Sequence, residues 1–420
     1  MRSVFWVGAA LLYATAAAAQ QVPDKLTLAD AVTIAEERNP QLLAAANDVE
    51  AARADRITAR TLPNPALTFE SEGRSVFRSP PNDGHEYSAR IDQDLFIGSR
   101  RSLQIRGADT GISVAEAQAT DVRRRLVYEV RRAYLQAVLA KADQDVASAS
   151  LDELDRVITL NRARLEQGAI SGVEFRRLQV ERLRFADDVF AAELALRNGR
   201  SVLLALLNFP NLNQPFELAE PLVSAEGRVA AAAPGLDPTA LILKAGAARP
   251  DVAAAAGEVA RATTETRLQR ALRTPSPTLG AGYKHNGGND TLLFGVTLPL
   301  PLFNRNAGTI ARADAELRRA ENRAQSVTTA VNLDVQQAIN AVNVARARVD
   351  YIERESLTNA QQTREIILAS YRAGAVTLID FLDAQRAYRD TVRSYNRAVF
   401  DYRVSLFQLE TAVGAPPVRR

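Results

Sequence analysis

Tyr371–Gln385 reads YRAGAVTLIDFLDAQ, and Leu165–Gln179 reads LEQGAISGVEFRRLQ. Each interrupts a long helical run with a Gly-Ala step and then resumes an apolar ladder. Gly168-Ala169 matches Gly374-Ala375, Phe175 matches Phe381 and Gln179 matches Gln385, all at one offset of 206 residues. The segment at Arg60-Thr61-Leu62-Pro63-Asn64-Pro65-Ala66-Leu67 is echoed, one residue shorter, by Arg273-Thr274-Pro275-Ser276-Pro277-Thr278-Leu279. The chain is therefore a tandem repeat, and the interruption recurs because the unit recurs.

Prolines mark out the elements. None lies between Pro81 and Pro210 or between Pro301 and Pro416, so each gap can hold very long helices. The pattern predicts, for the first repeat, helix over 27–59, strands over 65–72 and 87–96, and helices over 102–166 and 173–207. For the second it predicts helix over 237–272, strands over 278–285 and 291–299, and helices over 309–372 and 377–413. The expected divisions are a leader at 1–20, repeats at 21–208 and 237–414, a joining segment at 209–236 and a tail at 415–420.

The helical ladders step 4,3,4,3. Val331, Val335, Ala338, Val342, Ala345, Val349 and Ile352 form one. Tyr388, Val392, Tyr395, Val399, Tyr402, Leu406, Leu409 and Val413 form another, and a third runs from Leu126 to Ile158 with Gln144 its one polar member. A sustained repeat of about 3.5 residues predicts coiled coils; a plain bundle core is the simpler alternative. At about 1.5 Å per residue each long helix spans roughly 100 Å and each returning helix roughly 50 Å. Two shorter helices end to end thus equal one long one.

The strand segments alternate. Leu67 and Phe69 oppose Glu70 and Glu72; Ile91 opposes Arg90, Asp92 and Asp94; Tyr283 opposes Lys284. Such period-2 segments, near the roughly 9–11 residues that cross a bilayer as tilted strands, fit the outer-membrane barrel pattern; a small half-buried soluble sheet is the alternative. Four strands cannot close a barrel, since the smallest spanning ones have about eight. If the strands enter lipid, several copies must share one barrel, because an open edge would leave backbone groups unpaired. Glu70, Glu72, Arg90, Asp92, Asp94 and Lys284 would then line the lumen, and residues 73–86 and 286–290 would be hairpin tips.

Composition narrows the function classes. Arg2, the apolar run Val4–Tyr13 and the small residues Ala16–Ala19 read as a secretory leader. The absence of cysteine excludes disulfides, thiolate metal sites, a cysteine nucleophile and an N-terminal lipid-bearing cysteine. Fifty-two basic against 49 acidic residues leave a net of +3. The densest basic patch, residues 123–132, reads as a solvated helix face, with no nucleic-acid partner expected. His85 and His285 read as solvated loop residues. No acid–base pair with a pocket, phosphate loop, cofactor motif or metal motif appears, so no enzyme is expected.

With these residues in place, the chain resembles the TolC family of outer-membrane efflux proteins, especially its CzcC-like heavy-metal branch. LTLADAVTIAEERNPQL (26–42) resembles the family's opening helix, LPNPAL (62–67) its first strand entry, LPLFNRNAG (300–308) its last strand exit and YRAGAVTLIDFLDAQ its second helical turn. The resemblance implies a mainly α fold with a small transmembrane β-barrel part: a homotrimer whose four strands per chain build one 12-stranded barrel in outer-membrane lipid, above a coiled-coil periplasmic tunnel. It implies a passive exit channel, with metal cations as the expected cargo. Its partners would be a periplasmic adaptor and an inner-membrane pump of the resistance-nodulation-division type. It also implies that Gly168, Ala169, Ile170, Ser171, Gly374, Ala375, Val376 and Thr377 are adaptor-docking tips. Asp380 and Asp383 would ring the periplasmic gate, where mutual repulsion raises carboxylate pKa values; helix N-terminal charge is the alternative role. Tyr371 would bond Glu174, while Val376 replaces the family's usual basic residue. An exit channel for type I protein secretion and a non-pore coiled-coil scaffold are the competing functions.

Overall fold

The computed structural model describes residues 22–72, 86–223, 236–286 and 288–414. The expected leader, the tip over 73–85 and the tail at 415–420 lie outside the described residues. The first repeat runs β1 (Lys25–Leu26), α1 (Leu28–Arg38), α2 (Pro40–Arg60), β2 (Ala66–Glu72), β3 (Glu86–Asp94), α3 (Arg100–Glu166) and α4 (Gly172–Leu206). Then come β4 (Glu217–Leu218), α5 (Pro238–Ala248), α6 (Pro250–Ala271), β5 (Thr278–Asn286), β6 (Asn289–Thr297), α7 (Ala307–Tyr351), a π-helical turn (Ile352–Leu357), α8 (Thr358–Arg372) and α9 (Leu378–Val413).

The helical ladders are buried as their spacing requires. All seven positions from Val331 to Ile352 are buried, as are Leu126, Val130, Ala137, Ala140, Ala147, Leu154 and Ile158 on α3. Gln144, the polar member of the Leu126–Ile158 ladder, stays half-buried.

Three expected helices are interrupted. The helix over 27–59 breaks at Asn39-Pro40, and the one over 237–272 breaks at Arg249-Pro250. Proline at the first helical position starts a new helix instead of continuing the old one. The break residues then close each repeat. Asn39 Nδ2 donates to the Leu206 carbonyl at 2.9 Å, and Arg249 Nη1 donates to the Ala412 carbonyl at 3.2 Å. Leu206 and Ala412 are repeat equivalents near the ends of α4 and α9, where terminal carbonyls lack helical partners. The left-handed residues just beyond, Asn208 and Gly414, keep the same spacing. The third interruption, the π turn, has no counterpart in α3.

The sheet order is β2-β3-β5-β6, antiparallel throughout. Each strand is joined to one helix, α2 before β2, α3 after β3, α6 before β5 and α7 after β6, and these helices pack in the matching order α2-α3-α6-α7. Below the belt α4 packs on α3, α3 on α9, and α9 on α7 and α8. The molecule is thus a curtain of four columns, the first combining α2 with α4 and the third α6 with α9. A belt core joins α1, α3, α4 and α9 around Leu26, Tyr134, Leu203 and Val399. A separate core at the far end contains Leu154, Leu178, Phe185, Tyr371 and Phe381. The β1 strand pairs in parallel with β4, tying the start of the described chain to the joining segment. No helix among the described residues is long and apolar enough to cross a membrane.

Candidate functional site

The α3–α4 and α8–α9 reversals share one construction. Gly168 and Gly374 adopt φ +71° and +80°, the left-handed conformation that glycine enters without a Cβ penalty. Ala169 N donates back to the Arg164 carbonyl at 2.8 Å, and Ala375 N to the Ser370 carbonyl at 2.9 Å. The next helix is then capped reciprocally. Glu174 N donates to Ser171 Oγ at 3.2 Å and Ser171 N to Glu174 Oε2 at 3.2 Å. Thr377 N donates to Asp380 Oδ2 at 2.9 Å, and Thr377 Oγ1 to the same oxygen at 2.7 Å. The recurring phrase is therefore a helix stop followed three residues later by a helix start.

Within the single chain this geometry bears on two expectations. Glu174 is engaged in its own cap, and Tyr371 Oη instead donates to Asn161 Oδ1 at 2.9 Å. Within the chain the Tyr371–Glu174 hydrogen bond is replaced by a Tyr371–Asn161 one, because α3 brings Asn161 to the buried ring. Tyr371 stacks on Phe381, with ring centres 5.2 Å apart, and burial pushes its phenol pKa up. Arg164 lies over the ring and donates to the Arg372 carbonyl at 2.8 Å, so a cation does reach this tip, from α3 and not from position 376. The upward shift expected for Asp380 comes from repulsion between copies; a single chain shows only the local effect of its cap. The Thr377 side chain, then its N–H, hold its carboxyl below the ordinary aspartate range within the chain. Asp383 is free of the cap, largely exposed, and accepts from Arg386 Nη1 at 3.2 Å.

Above the tips, long side chains bridge α4 and α9. Arg386 donates to Glu181 Oε1 from Nε at 3.0 Å and from Nη2 at 2.6 Å, although Glu181 is buried. Arg389 Nη1 donates to Asp188 Oδ2 at 2.6 Å and covers Phe185. These residues were not singled out from the sequence. The signal was present: Leu178, Glu181, Phe185, Asp188 and Ala192 continue a 3,4 ladder, so the two acids stand at seam positions. Asn161 likewise follows Leu154 and Ile158 in the α3 ladder.

In the sheet, cross-strand partners share a face. The register aligns Glu72 with Glu86 and Asn286, Glu70 with Ser88 and Lys284, and Thr68 with Arg90 and Gly282. It also aligns Ala66 with Asp92 and Gly280, and Asp94 with Thr278. Glu70, Glu72, Arg90, Asp92, Asp94 and Lys284 therefore occupy one face, where Arg90 pairs with Asp92 at 2.9 Å and Lys284 with Glu86. The other face carries Leu67, Phe69, Ile91, Leu292, Phe294 and Val296, exposed by between 54% and 82%. His285 is not a loop residue: it lies on β5, with Nδ1 2.7 Å from Asp290 Oδ1. His85 lies outside the described residues. Among the described residues no group of three or more His, Asp or Glu side chains is placed to hold a metal ion.

Residues 31–208 and 241–415 match the family described as outer membrane efflux protein. The cobalt-zinc-cadmium resistance protein CzcC of Cupriavidus metallidurans is 26% identical over 86% of this chain and 83% of its own length. The outer membrane protein TolC of Vibrio cholerae is 26% identical over 92% of this chain and 90% of its own. Among solved structures, CusC superposes with a TM-score of 0.78 at 20% identity, covering 93% of this chain and 92% of the other. With both repeats matched and the strand-and-helix curtain shared, the chain belongs to the outer membrane efflux protein family.

Proposed function

We propose that the protein is the outer-membrane exit duct of a tripartite efflux system that expels metal cations. The observation that carries this reading is a curtain open along both sides. β2 and β6 each pair on one side only among the described residues, and α4 and the α7–α8 column are the outer helices of the same layer. One apolar strand face would meet lipid, but unpaired edges in lipid cost several kcal/mol per backbone group. Three copies side by side supply twelve strands and close both layers at once. The charged strand face then lines the lumen, and the α3–α4 and α8–α9 tips meet at the periplasmic mouth.

The similarity to a cobalt-zinc-cadmium resistance protein supports metal cations as cargo. An adaptor seated on residues 168–171 and 374–377, and a pump of the resistance-nodulation-division type supplying the energy, complete the assembly. At the mouth Asp383 faces the cargo, Asp380 sets the start of its helix, and Tyr371 with Asn161 and Arg164 holds the inner hairpin to α3. The test is a deletion strain exposed to cobalt, zinc and cadmium salts, drugs and dyes, together with bilayer conductance of the purified protein. Sensitivity confined to metals, restored by the gene, is the expected result. Loss of polypeptide secretion with unchanged metal tolerance would favour the secretion reading. A detergent-free monomer without conductance would favour the scaffold.

A further inference from the structure

We propose that the four strand–helix junctions form a basic collar that binds anionic phospholipid of the periplasmic leaflet, with Arg273 and Arg305 of each chain holding one phosphate headgroup. The inference rests on the reading that the sheet crosses the outer membrane.

The chain enters or leaves the sheet at 61–65, 95–99, 272–277 and 298–306. Every junction carries or directly adjoins an arginine: Arg60 ends α2, Arg100 and Arg101 begin α3, and Arg273 and Arg305 lie within the other two. None of the segments 60–65, 95–103, 272–277 and 298–306 contains an aspartate or glutamate. Elsewhere the helical arginines repeatedly meet acids, as in Arg123–Glu36, Arg182–Asp155 and Arg386–Glu181. At the junctions Arg100 is spent on the Ala271 carbonyl and Ser276, and Arg101 on the Arg60 carbonyl. The side chains of Arg60, Arg273 and Arg305 have no hydrogen-bond or ion-pair partner among the described residues.

Arg273 and Arg305 line the same notch, about 310 Å³ in volume, between the third and fourth junctions. Pro275, Pro299 and Pro301 frame it and contribute no N–H. Its charge comes from two guanidinium groups, whose planar donor sets suit phosphate oxygens. Directly beside it Leu300, Leu302 and Phe303 are exposed by 69%, 65% and 100%. Side chains this apolar would be costly in water. At the foot of a lipid-facing sheet they lie beside acyl chains while the arginines reach the headgroup plane. A soluble anion would leave these side chains uncovered. A neighbouring copy would bring its own 60–65 junction past the β6 edge, and that junction is equally free of acids. An anionic lipid surface supplies complementary charge and covers the apolar side chains at once.

The experiment uses the detergent-purified oligomer titrated with phosphatidylglycerol, phosphatidylcholine or inorganic phosphate, reading the temperature at which subunits dissociate. The expected result is a rise of several degrees with phosphatidylglycerol only. R273Q/R305Q loses that rise, R273K/R305K keeps only part of it, and all variants conduct normally in phosphatidylcholine bilayers. Equal stabilisation by the two lipids, an undiminished response in R273Q/R305Q, or an equal rise with inorganic phosphate would each overturn the lipid site. A wild-type protein that never inserts or conducts would sink the membrane-spanning reading itself, and the collar with it.

Discussion

Asp380 and Asp383 lie less than one helical turn apart but carry different constraints. Asp380 is held by Thr377 in a reciprocal cap, so Asp380→Asn should weaken the helix start only slightly and leave conductance nearly unchanged. Asp383→Asn removes a largely exposed charge and should lower the permeability ratio of cations to anions; an unchanged reversal potential would remove it from the gate. Tyr371→Phe leaves buried Asn161 Oδ1 without its donor, a loss of about 1–3 kcal/mol. The expected readout is a larger or longer-lived open conductance, and wild-type gating would mean that Tyr371 only packs. Much of this scale was legible beforehand. The Gly, Tyr and Asp positions stand out in the sequence, whereas Asn161 and Arg164 act from a helix more than 200 residues away.

At the scale of elements, the two reversals and the repeat closures set the behaviour. Gly374→Val would force a β-branched side chain into φ +80°, strain of about 1–3 kcal/mol confined to the turn. Export should fall while the trimer persists on size-exclusion chromatography; export at the wild-type rate would exclude the docking role. The closure around Arg249 makes a separate prediction about pH. Burial alone would raise the Asp251 carboxyl, but Arg249, reinforced by Arg124, holds it below its ordinary value. A depressed folded-state pKa contributes stability above the unfolded value, about 3.9, and that contribution is lost as pH falls through the folded value. Wild type should therefore melt above Asp251→Asn at neutral pH, and the gap should close below about pH 4. A pH-independent gap would assign the effect to packing. Element lengths were readable from the proline gaps, but the π turn was not, because no residue in IERESL marks it.

At the scale of the molecule, the exposed apolar side chains describe what is missing. Val173, Val180, Leu183, Phe190 and Leu194 run down the outer side of α4, while Leu333, Val344, Tyr351 and Ile366 are exposed along α7 and α8. These are the two open sides of the helical curtain, and sister copies would cover both. Phe190→Asp should block assembly, giving monomers or aggregates by light scattering in detergent. A trimer of normal stability would show that α4 is not a subunit seam.

The sequence alone determined the tandem plan, the four strands of the main sheet, the long helices and, for strands that enter lipid, the need for more than one copy. Those follow from periodicity, proline placement and backbone hydrogen-bonding demands, all properties of neighbours along the chain. Tertiary structure decided which strand lies beside which, that β3 meets β5 at the centre of the sheet, and that Arg249 rather than a second asparagine closes the second repeat. It also decided that Tyr371 meets Asn161 and that Arg386 clasps Glu181. Local pattern fixes an element and its face. Only packing brings together side chains that are distant in sequence, and their pairing depends on how the helices align across a buried seam.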